Sequence, residues 1–243
     1  MSATLGVIPA RIGSTRLPKK VIANLCGKTL ISYVIDAAKN SRRLERIIVA
    51  TDSQQVKAMV ERYGIECWVS SSSFASGTDR TAFVAKQLNQ YDLVINIQAD
   101  EPFLRGEDID LLVETLEREK KAQLGTLAIL SDKQEEFDDP DVVKVVKRDD
   151  DLALYFSRSP IPYNASGFLK HIGIYGYRRD ALLELANTEP TLLEKVERLE
   201  QLRALQLGYN IIVGMIEGER TFISVDTPED LKRAERELCG PNL

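Results

Sequence analysis

Two kinds of apolar spacing alternate along the first half of the chain. Leu5-Gly6-Val7-Ile8, Ile47-Ile48-Val49-Ala50 and Asp92-Leu93-Val94-Ile95-Asn96-Ile97 are short, nearly unbroken apolar runs of the kind shown by strands buried on both faces. Each is followed by a stretch with helical spacing, at residues 30–38, 56–63 and 106–119. Strands alternating with helices predict right-handed parallel crossovers and an α/β, doubly wound sheet, in which ligands bind beyond the carboxyl ends of the strands.

The second half is less regular. Residues 142–146, 153–156 and 171–177 read as strands, and 180–187 and 192–207 as helices, so the sheet is expected to be mixed. In the 192–207 helix, Leu192, Val196, Leu199 and Leu202 share one face, and Glu197, Glu200, Gln201 and Ala204 lie opposite. Thr227-Pro228-Glu229-Asp230 sets an N-cap threonine before a proline at the first helical position, so a last helix begins there. Without a repeat or a low-complexity linker, one domain over residues 1–243 is the simplest account; its only soft stretch is Ser70-Ser71-Ser72-Ser73.

Composition narrows the chemistry. The chain has 243 residues, 44% of them apolar, enough for a sizeable core. A formal charge of −5 argues against nucleic acid as a partner, so any anion site must be local. No apolar run reaches the ~20 residues of a membrane span, and the N-terminus lacks signal-peptide character, so a cytoplasmic protein without membrane partners is expected. Cys26, Cys67 and Cys239 are odd in number and far apart, which speaks against a disulfide framework or a cysteine metal site. A single histidine, His171, excludes multi-histidine metal sites.

The first strand runs into Pro9-Ala10-Arg11-Ile12-Gly13-Ser14-Thr15-Arg16-Leu17-Pro18-Lys19-Lys20, with four cations and no acid from Arg11 to Lys20. Gly13 and its small neighbours let backbone N–H groups approach an oxyanion, and Arg11, Arg16 and Lys20 can neutralise developing charge, as a triphosphate requires. A solvated basic loop is the plainer alternative for this segment alone. Gly27-Lys28-Thr29 has the ending of a P-loop, but Ile22 stands where the earlier glycine is needed, and no G-x-G-x-x-G follows the first strand. The cysteines lack a neighbouring histidine and no G-x-S-x-G elbow occurs, which favours direct displacement over a covalent intermediate.

The loop, with Ser14-Thr15-Arg16-Leu17-Pro18 followed by Lys20, resembles sugar-activating nucleotidyltransferases of the cytidylyltransferase branch. Five further stretches, in order, resemble the 3-deoxy-manno-octulosonate (Kdo) cytidylyltransferase family: Asn96 to Pro102, Ala153 to Arg158, His171 to Tyr177, Leu199 to Arg203 and Val225 to Asp230. The resemblance implies a GT-A-like, Rossmann-like nucleotidyltransferase fold, with a smaller sugar-binding and dimerisation portion around residues 130–210. It implies transfer of CMP from CTP to the anomeric hydroxyl of Kdo, giving CMP-Kdo and pyrophosphate.

On that resemblance the nucleotide meets Ala10, Arg11, Ser14, Arg16, Lys20, Ser76, Gly77, Arg80 and Gln98. Arg11, Lys20, Asp100 and Asp226 are the catalytic set. Asp100 and Asp226 are the expected ligands of Mg2+, which usually takes one or two protein carboxylates; Glu101 is a weaker candidate. Arg158, His171, Tyr175, Glu197 and Gln201 are expected at the acid sugar, with Arg158 clamping its carboxylate and His171 donating to or orienting a hydroxyl. A homodimer is implied as well. Lys19, Val21 and Ala99 depart from the glycine, proline and glycine common in the family, and the loop 162–170 is short. The adjacent lysines leave open which one reaches phosphate, and the loop leaves open 8-amino-8-deoxy-Kdo or another acidic keto sugar. A non-catalytic nucleotide-binding protein is the distant alternative.

Overall fold

The computed structural model describes residues 2–71, 74 and 76–240, so Ser72 and Ser73 of the serine run lie outside the described residues. The chain divides into two compact units, Ser2–Asp110 together with the chain from Arg220 onward, and Leu111–Glu219.

The first unit opens with β1 (Thr4–Ala10), buried along its whole length, as the apolar run requires. A 3₁₀ turn at Lys20–Ile22 leads to a small hairpin of β2 (Asn24–Leu25) and β3 (Lys28–Thr29). Next come α1 (Leu30–Asn40), β4 (Arg46–Thr51), α2 (Gln54–Glu61), β5 (Glu66–Val69), α3 (Gly77–Gln87), β6 (Leu93–Ile97) and the first residues of α4 (Gly106–Arg118), whose remainder, from Leu111, belongs to the second unit. The strands stand in the order β6-β1-β4-β5 and all pairs are parallel. Their carboxyl ends lead into residues 11, 52, 70 and 98, which is where the ligand rule for parallel sheets directs attention. Four residues with little apolar periodicity, β5 was not legible in the sequence.

The second unit contains β7 (Leu124–Ser131), α5 (Gln134–Asp138), β8 (Lys144–Lys147), β9 (Ala153–Ser157), β10 (Phe168–Arg178), α6 (Arg179–Ala186), α7 (Leu192–Glu197), α8 (Gln201–Gln206) and β11 (Ile211–Ile216). β11 pairs parallel with β7, whereas β7–β10, β10–β8 and β8–β9 are antiparallel. Parallel and antiparallel strands therefore combine in a mixed α/β fold, as expected. β7 and β11 escaped the sequence reading because Gly125 and Gly214 interrupt their apolar patterns.

The single helix expected at 192–207 is two helices, broken where Arg198 adopts a left-handed conformation (φ 56°). Across the break Arg203, buried, is bonded by two nitrogens to Glu194 at 2.6 and 2.8 Å and also to the carbonyls of Leu185 and Thr188. The break undoes the shared face: Leu192 and Val196 on α7 are each 71% exposed, while Leu199, Leu202, Gln201 and Ala204 are buried.

The last helix, α9 (Pro228–Cys239), returns to the first unit and is capped as its sequence demands, with the Thr227 hydroxyl and the Asp230 side chain forming a capping box. Leu25 and Leu30 share a small core with Val225 and Ala234, which brings the β2–β3 hairpin against α9. That packing overturns the expectation about the cysteines: Cys26 and Cys239, 213 residues apart, are disulfide-bonded with Cα atoms 6.1 Å apart. Cys67 is a free, buried cysteine.

Candidate active site

In the first unit, a cavity of about 310 Å³ is lined by Arg11, Ser14, Arg16 and Lys20 from the loop after β1, by Ser76, Gly77 and Arg80 at the start of α3, by Gln98 and Asp100 after β6, and by Asp226 before α9. All four expected catalytic residues meet here. Of the nine expected nucleotide contacts, Ala10 alone is not in the lining; it is fully buried at the end of β1.

The charged centre is a chain of alternating sign. Lys20 Nζ donates to Asp100 Oδ2 at 2.5 Å and to Asp226 Oδ1 at 2.8 Å, and Arg16 Nη2 reaches Asp226 Oδ2 at 2.8 Å. The Val225 N–H donates to the Asp100 carbonyl at 2.9 Å, so the backbone itself joins two segments over a hundred residues apart in sequence. Burial alone would lower the Lys20 pKa, but the two carboxylates outweigh it and hold the ammonium above its ordinary value. For Asp226, burial would raise the pKa, but Lys20 and Arg16 outweigh it and hold the carboxyl below its usual range. Two carboxylates converging on one cation are hard oxygen donors of the kind Mg2+ takes one or two of, and among the described residues no group of three or more His, Cys, Asp or Glu gathers to hold a metal. Glu101 does not join them: it is buried and hydrogen-bonded by the Ser224 hydroxyl.

The opposite wall is set by local structure. Ser76 caps α3, its hydroxyl accepting from Asp79 N–H at 3.1 Å while Asp79 accepts from Ser76 N–H at 3.0 Å. A Cβ on Gly77 would stand 3.3 Å from Pro9 and 3.5 Å from the Gln98 amide, so glycine lets these three close on one another. Gln98 Nε2 donates to Asn96 Oδ1 at 3.3 Å, which orients its amide. Arg80 is 2% exposed; its guanidinium bonds the Ser70 hydroxyl, the Ser71 carbonyl at 3.3 Å and the Asp52 carboxylate at 3.5 Å. Asn96 heads the Asn96 to Pro102 stretch but has no role assigned from sequence; Asp52 is not among the sequence candidates, although it directly follows an apolar strand at its carboxyl end, which is the signal that could have found it.

The five residues expected at the acid sugar all lie in the second unit. Glu197 is committed to its own neighbours, accepting from the Ser157 hydroxyl at 2.8 Å, Arg158 N–H at 2.9 Å and the Tyr155 hydroxyl at 3.4 Å. Arg158 donates to the carbonyls of Glu197 and Pro140 at 2.9 and 2.8 Å and lies 3.7 Å from Asp141. Gln201 is buried, and its amide nitrogen has no hydrogen-bond partner among the described residues. His171 Nε2 lies 2.8 Å from the Thr126 hydroxyl, which donates to the Ile174 carbonyl at 2.8 Å. With the Thr126 hydrogen directed at the Ile174 carbonyl, the hydroxyl oxygen is free to accept from His171 Nε2–H. Desolvation pushes its pKa down to about 3, so the ring is neutral at physiological pH. Tyr175 stacks obliquely beside it, ring centroids 5.4 Å apart.

Residues 5–211 match the family described as cytidylyltransferase. The chain belongs to that family. It is 43% identical to the 3-deoxy-manno-octulosonate cytidylyltransferase of Bdellovibrio bacteriovorus, over 98% of this chain and 99% of the relative, and 42% identical to that of Thermodesulfovibrio yellowstonii, over 96% and 97%. Its fold is similar to a solved CMP:2-keto-3-deoxy-manno-octonic acid synthetase complexed with CTP, with a TM-score of 0.90, 35% identity and coverage of 98% and 99% of the two chains. Lys19 is left-handed (φ 56°, ψ 31°), the conformation glycine adopts without cost. Lys19 is exposed and absent from the cavity lining, whereas Lys20 enters it, so Lys20 is the lysine placed to meet an anion.

Proposed function

We propose that this cytidylyltransferase transfers CMP from CTP to the anomeric hydroxyl of Kdo, releasing pyrophosphate and supplying CMP-Kdo for lipopolysaccharide biosynthesis in the cytoplasm. The observation that carries the reading is the Arg16–Asp226–Lys20–Asp100 chain of charges at the end of the phosphate loop, facing the Ser76-Gly77 and Gln98 wall in one cavity.

The anomeric oxygen forms a bond to the α-phosphorus while the bond from that phosphorus to the pyrophosphate oxygen breaks, and the hydroxyl proton passes to water. Arg11, Arg16 and Lys20 hold the triphosphate and meet the charge that accumulates on the leaving pyrophosphate. Asp100 and Asp226 would hold Mg2+, which when bound neutralises phosphate charge and favours the deprotonated hydroxyl. The Gln98 amide and the backbone at Ser76 and Gly77 pair with the cytosine edge; uracil, which lacks the exocyclic amino group, leaves those polar atoms unmatched. Gln201 and His171 Nδ1 contact the acid sugar, and Arg158 stands by for its carboxylate. A homodimer is part of the same reading, with the dimerisation portion in the second unit.

The decisive experiment is pyrophosphate release with four nucleotides against Kdo, 8-amino-8-deoxy-Kdo and sialic acid. CTP with Kdo is expected to give the highest kcat/KM. Comparable values for UTP and CTP refute the base assignment, preference for 8-amino-8-deoxy-Kdo moves the activity to that sugar, and nucleotide binding without release with any acceptor refutes catalysis.

A further inference from the structure

Asp52 links the two segments that line opposite sides of the nucleotide cavity. It follows β4, whose last residue Thr51 pairs with Ala10 at the end of β1, so its carboxylate emerges beside the phosphate loop. Its Oδ1 accepts the Ile12 N–H of that loop at 2.9 Å, and its Oδ2 faces Arg80 of α3 at 3.5 Å. Both side chains are withdrawn from solvent, 10% exposed for Asp52 and 2% for Arg80.

The charge has a task that a neutral residue cannot perform. Arg80 is enclosed, and its other bonds go to a hydroxyl and a carbonyl, so Asp52 is the carboxylate in salt-bridge reach that offsets its charge. Asp79 is also near, but its carboxylate is held by the α3 capping box. Arg80 also feels Arg11 of the phosphate loop as a like charge. Without a carboxylate at Asp52, two cations would repel where the loop and the start of α3 approach one another, and the Ile12 N–H would lose its acceptor.

We propose that Asp52 is a positioning residue for the nucleotide, a strut that sets the phosphate loop against the base-recognising start of α3. This rests on the cytidylyltransferase reading above. Asp52 lines no part of the cavity, so its effect passes through Ile12 and Arg80. Displacing a binding segment by about an ångström can cost on the order of a hundredfold in rate, so a strut need not touch substrate to matter.

The test compares Asp52→Ala, which removes both links, with Asp52→Asn, which keeps an oxygen for Ile12 N–H and removes the charge. Steady-state kinetics on the folded variants gives KM for CTP and for Kdo separately; hydrogen exchange follows peptides covering residues 11–20 and 76–88. Asp52→Ala is expected to raise KM for CTP about tenfold, with KM for Kdo within about twofold, and Asp52→Asn to recover part of that loss. Exchange should quicken in those two segments and not in residues 124–131 of the second unit. Equal rises in both KM values, or an Asp52→Asn enzyme as impaired as Asp52→Ala, overturn the strut. So does a CTP KM within twofold of wild type in Asp52→Asn, which suffices if the alanine variant does not fold. Failure of the underlying reading is separately visible, because then the wild-type protein itself turns over no CTP while the exchange comparison still reports whether Asp52 holds the two segments.

Discussion

Lys20 sits between two carboxylates, and replacing it with methionine isolates what that ammonium does. Its side chain is 14% exposed, against 23% for Asp100 and 35% for Asp226. Removing one partner of a buried pair costs about 3–5 kcal/mol because the remaining charge is left uncompensated. Here Asp226 keeps Arg16 at 2.8 Å and partial access to water, which places Lys20→Met at the lower end, about 3 kcal/mol. For a chain of this size that corresponds to a fall of about 6–12 °C in Tm. The two carboxylates then face each other without their shared cation, so Mg2+ should bind the free variant more tightly than the free wild type. At a hundredfold excess over its Kd a bound ion returns about 2.7 kcal/mol, most of the loss. Turnover should nevertheless fall about 10²–10³-fold, since the metal cannot replace the contact proposed for Lys20 with the developing anion. Thermal melting in MgCl2 and in NaCl of equal ionic strength, beside pyrophosphate release, measures all three. A variant that melts like wild type, or gains no more from Mg2+ than wild type does, refutes the electrostatic account of this centre.

Asp100→Asn and Asp226→Asn should each collapse turnover while leaving the fold intact, with raised Mg2+ giving partial recovery; an Asp226→Asn enzyme with wild-type turnover and metal response removes Asp226 from the site. His171 gives a pH dependence. Its pKa is about 3 when folded, and an unfolded histidine titrates near 6.5, so the unfolded chain binds more protons and stability falls as pH drops below 6.5. Between pH 7 and pH 5 the wild type should lose about 2 kcal/mol more than His171→Asn in denaturant unfolding, and equal losses would contradict the buried neutral ring. Alkylation under denaturing, non-reducing conditions should modify Cys67 alone, with all three cysteines reacting after reduction. Closing 213 residues of chain stabilises by at most roughly 5 kcal/mol in the chain-entropy account, so a reductant should lower Tm, and three reactive thiols without reductant would disprove the bridge.

What the sequence determined by itself is local. The buried strands at Leu5–Ile8 and Leu93–Ile97, the cap at Thr227-Pro228 and the cation-rich loop from Arg11 to Lys20 are written in spacing and residue type, because burial on both faces, capping and charge density act within a few residues. The ordered motifs carried family membership. The rest depends on partners far apart in the chain. Asp226 meets Lys20 because α9 packs on the β2–β3 hairpin, and the same packing brings Cys239 to Cys26. The bond from Val225 to Asp100 completes that arrangement. The partners of Glu101 and Glu197 are likewise set by the fold: Ser224 bonds the first carboxylate, and the Ser157–Arg158 segment bonds the second. The apolar face of residues 192–207 was misread for a related reason. Helical periodicity describes one unbroken axis, whereas the axis turns at left-handed Arg198 and buried Arg203 bonds Glu194 across the turn, so the pattern is divided between two helices with separate faces.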